Sequence, residues 1–288
     1  MKIFKYLIEA LLIYIFFIII KVLRINFSRK LFSYIFNKIG PLIKSKEVIE
    51  ENLERILGSL DHDNKHKIIS KMWSNYSSTF VEYLFLNNFK KNSQHITIKG
   101  EEILNKIIQA NKPVIFISGH FSNFELMSME LTKRKIKLAT IYRPLNNFFL
   151  NPFMEYVRRK YICRNQIKKG IAGIRDAVEY IKDNHCVALM VDQRVSEGKK
   201  LSFFNKDALT TTLPAQLALK YKCDIVPICI FRKPNDYFEM EVFEPISVLS
   251  KSETEIDKLE ISLKINKLIE QMVLKDPSQW ILTHNRWK

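Results

Sequence analysis

Four short polar clusters hold most of the side chains able to do chemistry: 119-GHFSNFE-125, 141-IYRPLNN-147, 191-VDQRVSEG-198 and 227-PICIFRK-233. The first sets His120 five residues before Glu125. That spacing does not put both side chains on one helical face, where neighbours lie three or four apart. The two meet if His120 occupies a strand-to-helix turn and Glu125 the first helical turn, where a carboxylate also complements the helix dipole. Glu125 would then hold one imidazole nitrogen, and His120 would use the other to take a proton from a hydroxyl. Such general-base catalysis is worth about 10²–10⁴-fold in rate. Gly119 allows the close backbone approach that the turn wants. The competing reading is a structural histidine that closes a strand end, and spacing alone leaves both open.

These clusters need a scaffold that brings them together. Apolar runs at 113–118, 136–142, 186–192, 224–231 and 237–243 read as strands, with helices near 123–134, 148–161, 171–183 and 212–222. This alternation predicts an α/β fold with a mostly parallel central sheet flanked by helices. In open sheets of this kind, sites gather beyond the C-terminal strand ends. His120, Glu125, Arg143, Asp192 and Arg194 are therefore expected along one edge. The last two strands, joined by 232-RKPND-236, read as an antiparallel hairpin at one edge of the sheet. A Thr cap before Pro214 marks the start of the helix at 212, and a polar helix at 253–275 precedes the tail.

Upstream, residues 26 to about 92 read as helical, with apolar positions at helical spacing. His62 and His66 in 61-DHDNKH-66 have a spacing that could ligate a metal, but a solvated linker is the preferred reading, and no metal site is assigned. The N-terminus carries the run 6-YLIEALLIYIFFIIIKVL-23, uncharged from Ala10 to Ile20. It is read as a membrane anchor, with a transmembrane span and a helix lying in the interface both open. Lys21, Arg24, Arg29, Lys30, Lys38, Lys44 and Lys46 follow with no acidic residue before Glu47, which places the rest of the chain in the cytoplasm. The expected division is an anchor at 1–25, a helical segment at 26–94 and an α/β domain at 95–288.

The 288 residues carry 46 Lys and Arg against 30 Asp and Glu, a formal +16. Such a balance favours polyanionic partners. Because basic residues directly follow the apolar run, an anionic membrane surface explains the charge better than nucleic acid does. The four cysteines lack any C-x-x-C spacing and read as reduced, mostly buried thiols.

Gly-His with an acidic residue five positions after the histidine, in the context 119-GHFSNFE-125, resembles the lipid A biosynthesis late acyltransferases (lauroyl and myristoyl transferases) of the lysophospholipid acyltransferase superfamily. The segments 142-YRPLNN-147, 187-VALMVDQRVSEG-198, 208-ALTTTLPAQLALKYKCDIVPI-228 and 277-PSQWILTHNRW-287 agree in order, so the likeness runs through nearly the whole chain. The resemblance implies transfer of a fatty acyl chain from acyl carrier protein, or less often coenzyme A, to a hydroxyl of a phosphorylated lipid A precursor. No resident cofactor is implied, and the setting is the cytoplasmic side of a Gram-negative inner membrane. It further implies His120 as catalytic base, Glu125 as its partner, Asp192 in the third cluster and an arginine from 155-EYVRRKYICR-164. Arg158, Arg159 and Arg164 compete for that last place, and Arg159 is chosen. Arg143, Arg194 and Asn123 are assigned to substrate binding, the guanidinium groups suiting phosphate. Departures from the family pattern are Ser122 where Gly is common, Phe124 where Trp is common and 168-KKG-170 where Pro-Lys-Gly is frequent. Alternatives are an acyltransferase for another lipid acceptor, or a non-catalytic membrane protein that binds anionic lipid.

Overall fold

A computed structural model describes residues 2–248 and 253–288. Met1 of the expected anchor and residues 249–252 of the expected α/β domain lie outside the described residues. The chain begins with α1 (Lys2–Leu23), which ends where Arg24 turns to φ 63°, and continues in α2 (Ile25–Ile43). Helix α3 (Lys46–Leu57) starts from Ser45, whose hydroxyl accepts the Val48 N–H, and ends at Gly58 with φ 75°. Helix α4 (His62–Glu82) starts from Asp61, whose carboxylate accepts the Asn64 N–H. The expected linker 61-DHDNKH-66 is thus the cap and first turn of α4, because an N-capping aspartate satisfies free amides there. Short α5 (Leu86–Lys91) completes this helical segment.

The sheet that follows is built from β1 (Ile96–Lys99), β2 (Ile115–Ser118), β3 (Leu138–Tyr142), β4 (Asn165–Lys168), β5 (Cys186–Met190), β8 (Ile225–Arg232) and β9 (Phe238–Val242). Among the described residues its order is β1-β9-β8-β2-β5-β3-β4, seven strands, with only the β8–β9 pairing antiparallel. Helices α6 (Glu101–Ala110), α7 (Glu125–Lys133), α8 (Asn151–Val157), α9 (Ile171–Lys182), α10 (Leu213–Tyr221) and α11 (Glu255–Lys275) make the crossovers and cover its faces. A separate antiparallel hairpin, β6 (Lys199–Phe203) and β7 (Lys206–Thr210), turns through Phe204 and Asn205, both at positive φ.

Side chains alternate across the sheet as the pleat requires. Ile115, Ile117, Val187 and Leu189 face a core shared with α3, α4, α9, α10 and α11. Phe116 and Ala188 face the opposite core, shared with α5, α6 and α7. The helical segment therefore packs directly on the sheet: Leu53 and Met72 are fully buried in the same cluster as Trp280. All four cysteines are buried and free, and burial pushes the Cys163, Cys186 and Cys223 thiols up to about 11.

The five expected strands and the expected helices are present, and the fold class is the one expected. Two differences concern the edges. The β8–β9 hairpin is interior rather than terminal, since β1 adds to β9 and β8 pairs with β2. The edge strands β1 and β4 went unread because each has only four residues and polar ones among them.

Candidate active site

Strands β2 and β5 are parallel neighbours with Ser118 opposite Met190, and the Val191 N–H donates to the Ser118 carbonyl at 2.9 Å. Two residues beyond that last pair, His120 and Asp192 meet. His120 Nδ1 donates to Asp192 Oδ1 at 2.8 Å, and the His120 backbone N–H donates to Oδ2 at 2.8 Å. Trp280 Nε1 also donates to Oδ2, at 2.8 Å. Burial works against ionising Asp192, which is 1% exposed, yet the imidazole and these hydrogen bonds hold its carboxyl below the ordinary carboxylate range. An ionised Asp192 can only accept, so Nδ1 carries a proton and Nε2 is the ring nitrogen left to meet a hydroxyl.

Gly119 makes this approach possible. A Cβ there would lie 2.7 Å from the Phe121 ring and 3.2 Å from the Asp192 carboxyl. Ser122 takes φ 46°, with its N–H on the Gln279 carbonyl at 2.8 Å. This left-handed position is one that glycine takes without strain and that Ser122 holds here.

The carboxylate on His120 is thus that of Asp192, and the expected His120–Glu125 pairing is corrected. Glu125, in the first turn of α7, accepts from Arg158 Nε at 2.8 Å and Nη2 at 2.6 Å, and from the Tyr83 hydroxyl. Burial, and then the Glu125 charge, raises the Tyr83 pKa well above its usual value. The neighbour in sequence loses to the neighbour in the sheet because strand order, not spacing, decides which carboxylate lies against the ring.

The choice of Arg159 is corrected as well. Arg158 stands at the junction of α8 with a π-helical turn, Arg158–Ile162, and its guanidinium lies over the Tyr142 ring at 5.4 Å. A helix advances about 100° per residue, so Arg159 points away and lines a surface cavity with Lys90 and Arg164. Asn123 is also corrected: fully buried, it donates to Glu82 Oε2 at 2.8 Å instead of facing an open site. Glu82 is held in turn by Arg29 Nη2 at 2.7 Å and by Arg232 Nη2 at 3.0 Å, so Asn123 ties the loop that carries His120 to α4. The Glu82 carboxyl lies below its ordinary range: burial opposes ionisation, but the Arg232 and Arg29 charges outweigh it.

Two cavities share His120 and Phe124. One, about 360 Å³, is almost wholly apolar, walled by Ile13 and Phe17 of α1, Tyr76, Phe80 and Tyr83, and Leu150, Phe153 and Met154. The other, about 230 Å³, is more polar: Arg143, Arg158, Lys169 and Arg194 gather around Glu125 and the strand ends, with apolar side chains such as Leu189 and Met190 between them. Arg143 and Arg194 are therefore placed where they were expected, beside His120.

Sequence reading missed the roles of Trp280 and His284, although the tail that carries them stood out. The Arg194 N–H donates to His284 Nε2 at 3.0 Å, which leaves the proton on Nδ1. Burial lowers the pKa of this imidazole, so it is neutral. His284 lines the polar cavity with His120. The arrangement as a whole, a carboxylate-held imidazole between an apolar cleft and a basic chamber, can take a proton from a hydroxyl that two different groups bring to it.

The chain is similar to known proteins over most of its length. The model of a family described as bacterial lipid A biosynthesis acyltransferase matches residues 1–288. The chain is 24% identical over 210 residues to lipid A biosynthesis acyltransferase 2 of Shigella flexneri, covering 71% of this chain and 65% of that protein, just under two thirds of its length. It is 24% identical over 257 residues to the lipid A biosynthesis palmitoleoyltransferase of Escherichia coli (strain K12), covering 86% and 80%.

Proposed function

The chain belongs to the bacterial lipid A biosynthesis acyltransferase family, and from that premise we propose that it transfers a fatty acyl chain from acyl carrier protein to a hydroxyl of a lipid A precursor. The observation that carries this reading is the Asp192–His120 pair at the meeting point of an apolar and a basic cavity. The acyl chain lies in the apolar cavity, and the phosphorylated part of the substrates lies among Arg143, Arg158, Lys169 and Arg194. Guanidinium groups pair bidentately with phosphate, so they both bind and orient it.

In the reaction, His120 Nε2 takes the hydroxyl proton as the acceptor oxygen bonds to the thioester carbonyl carbon. The carbonyl π pair moves onto oxygen, and the resulting oxyanion is met by the neutral His284 Nδ1–H and the Arg143 guanidinium. Collapse reforms C=O and breaks C–S; the leaving thiolate takes the proton back from Nε2 and departs as thiol. Asp192 stabilises the imidazolium between these steps, as a buried carboxylate does. Glu125 acts at one remove, fixing Arg158 over the basic chamber. No bound cofactor takes part in this scheme; the acyl thioester is the co-substrate. The basic stretch after α1 supports a catalytic body held on the anionic cytoplasmic face of the inner membrane.

Mass spectrometry of lipid A from a strain lacking the gene tests the reading. Loss of one secondary acyl chain, restored by the wild-type gene and not by His120→Ala, is the expected result. An unaltered lipid A would move the acceptor to another lipid.

A further inference from the structure

Helix α1 is amphipathic in an unusual sense. Tyr6, Glu9, Ile13, Tyr14, Phe17 and Lys21 fall on one face of the helix, and that stripe carries the polar groups from residue 6 onward. That stripe is bound along its length to the catalytic body. The Tyr6 carbonyl accepts from Asn147 Nδ2 at 2.8 Å, the Tyr14 hydroxyl donates to the Phe149 carbonyl at 3.0 Å, and the Lys21 ammonium donates to the Leu84 carbonyl. Phe17 packs on Phe153 and Phe80, with ring centroids 5.1 and 5.6 Å apart. On the opposite side Phe4, Leu7, Leu11, Ile15, Ile18 and Val22 are exposed and wholly apolar.

Tyr6 and Lys21 are fifteen residues apart, about 22 Å of helix at 1.5 Å per residue. The hydrocarbon core of a bilayer is about 30 Å thick. A crossing helix would carry Asn147 and Leu84, its partners near the two ends, to well-separated depths. The irregular loop between β3 and α8 would then be carried to membrane depth, where lipid-exposed non-helical backbone is not tolerated. From this we infer that α1 does not cross the bilayer but lies along one face of it, its polar stripe on the body and its apolar stripe in the lipid. The partner surface is an anionic bilayer. Lys2 and Lys5 at one end and Lys30, Lys38 and Lys44 beyond the other are exposed, so positive charge flanks the apolar stripe on both sides. Helix α2 continues the surface, with Phe27, Tyr34 and Leu42 exposed by 58, 67 and 84% on one face.

The test is sidedness of the full chain in membrane vesicles. Because the native cysteines are buried, Lys2→Cys and Lys288→Cys each introduce one reactive thiol at an exposed terminal position. Both are expected to react with a membrane-impermeant maleimide in the same vesicle orientation, at least tenfold faster than in the other. Labelling from opposite sides would overturn the inference, and so would a wild-type chain that stays in the supernatant. A second variant, Leu11→Asp with Ile15→Asp, checks the lipid-facing stripe. Its bound fraction in high salt should fall several-fold, whereas an unchanged fraction would mean that this stripe does not meet lipid.

Discussion

The two cavities at His120 are opposites built from different parts of the chain. The apolar one is walled by helices, α1, α4 and α8 among them, and offers shape without charge. The basic one is lined at the C-terminal ends of β3 and β5 and offers charges held by hydrogen bonds. One imidazole borders both. In the proposed reaction, a change on either side should alter which molecule is used, while a change at the imidazole should stop the reaction for all of them.

The largest effect belongs to the shared centre. His120→Ala should lower kcat by about 10²–10⁴-fold with every acyl donor and acceptor, read in a thioester-release assay. Asp192→Asn should cost about 10²-fold or more, because Nδ1 loses the carboxylate that keeps it protonated. Its pH signature follows from the depressed Asp192 pKa. A depressed carboxyl contributes stability in full above its unfolded value, about 3.9, and loses it as pH falls through the folded value. The Tm gap between wild type and Asp192→Asn should therefore shrink as pH drops below about 4; a gap that widened in acid would count against an ionised Asp192.

Next come the variants that separate the cavities. Phe153→Ala should shift acyl-chain preference, slowing the native chain length by about tenfold, the scale of a misfit in an apolar pocket. Acceptor KM should stay within twofold. Lys169→Ala should do the reverse, raising KM for the phosphorylated acceptor by about tenfold, the worth of one charge-assisted hydrogen bond, with chain preference unchanged. If both variants moved the same parameter, the division of labour would be wrong. The smallest effect is at the loop itself. Ser122→Gly removes a left-handed non-glycine residue and should raise stability by about 1 kcal/mol, read by thermal melting.

Much of the polar half was legible in the sequence, and much of the apolar half was not. Strand periodicity placed His120, Arg143, Asp192 and Arg194 at one sheet edge, because position beyond a strand end follows from local pattern. The pairing of His120 depended on β2 lying beside β5, and no local signal shows strand order. Glu125, nearer in sequence, was therefore preferred. The choice between Arg158 and Arg159 turned on a single helical step at a π turn, finer than periodicity resolves. The hairpin β6–β7 escaped because its turn uses Phe204 and Asn205 at positive φ instead of a glycine pair. The apolar cavity escaped for a different reason. An anchor helix reads as separate from the enzyme, yet Ile13 and Phe17 complete a wall beside His120.

The last residues of the chain also touch this centre. Trp280 holds Asp192, Gln279 fixes the Ser122 loop, His284 meets Arg194, and Arg286 binds the Leu209 carbonyl at 2.7 Å. During translation α1 is made well before residues 279–286 and can reach lipid while they are still unmade. Asp192 gains its Trp280 donor, and the Ser122 loop its Gln279 anchor, only once those residues have emerged. A nascent chain can then already be at the membrane before the surroundings of His120 are complete.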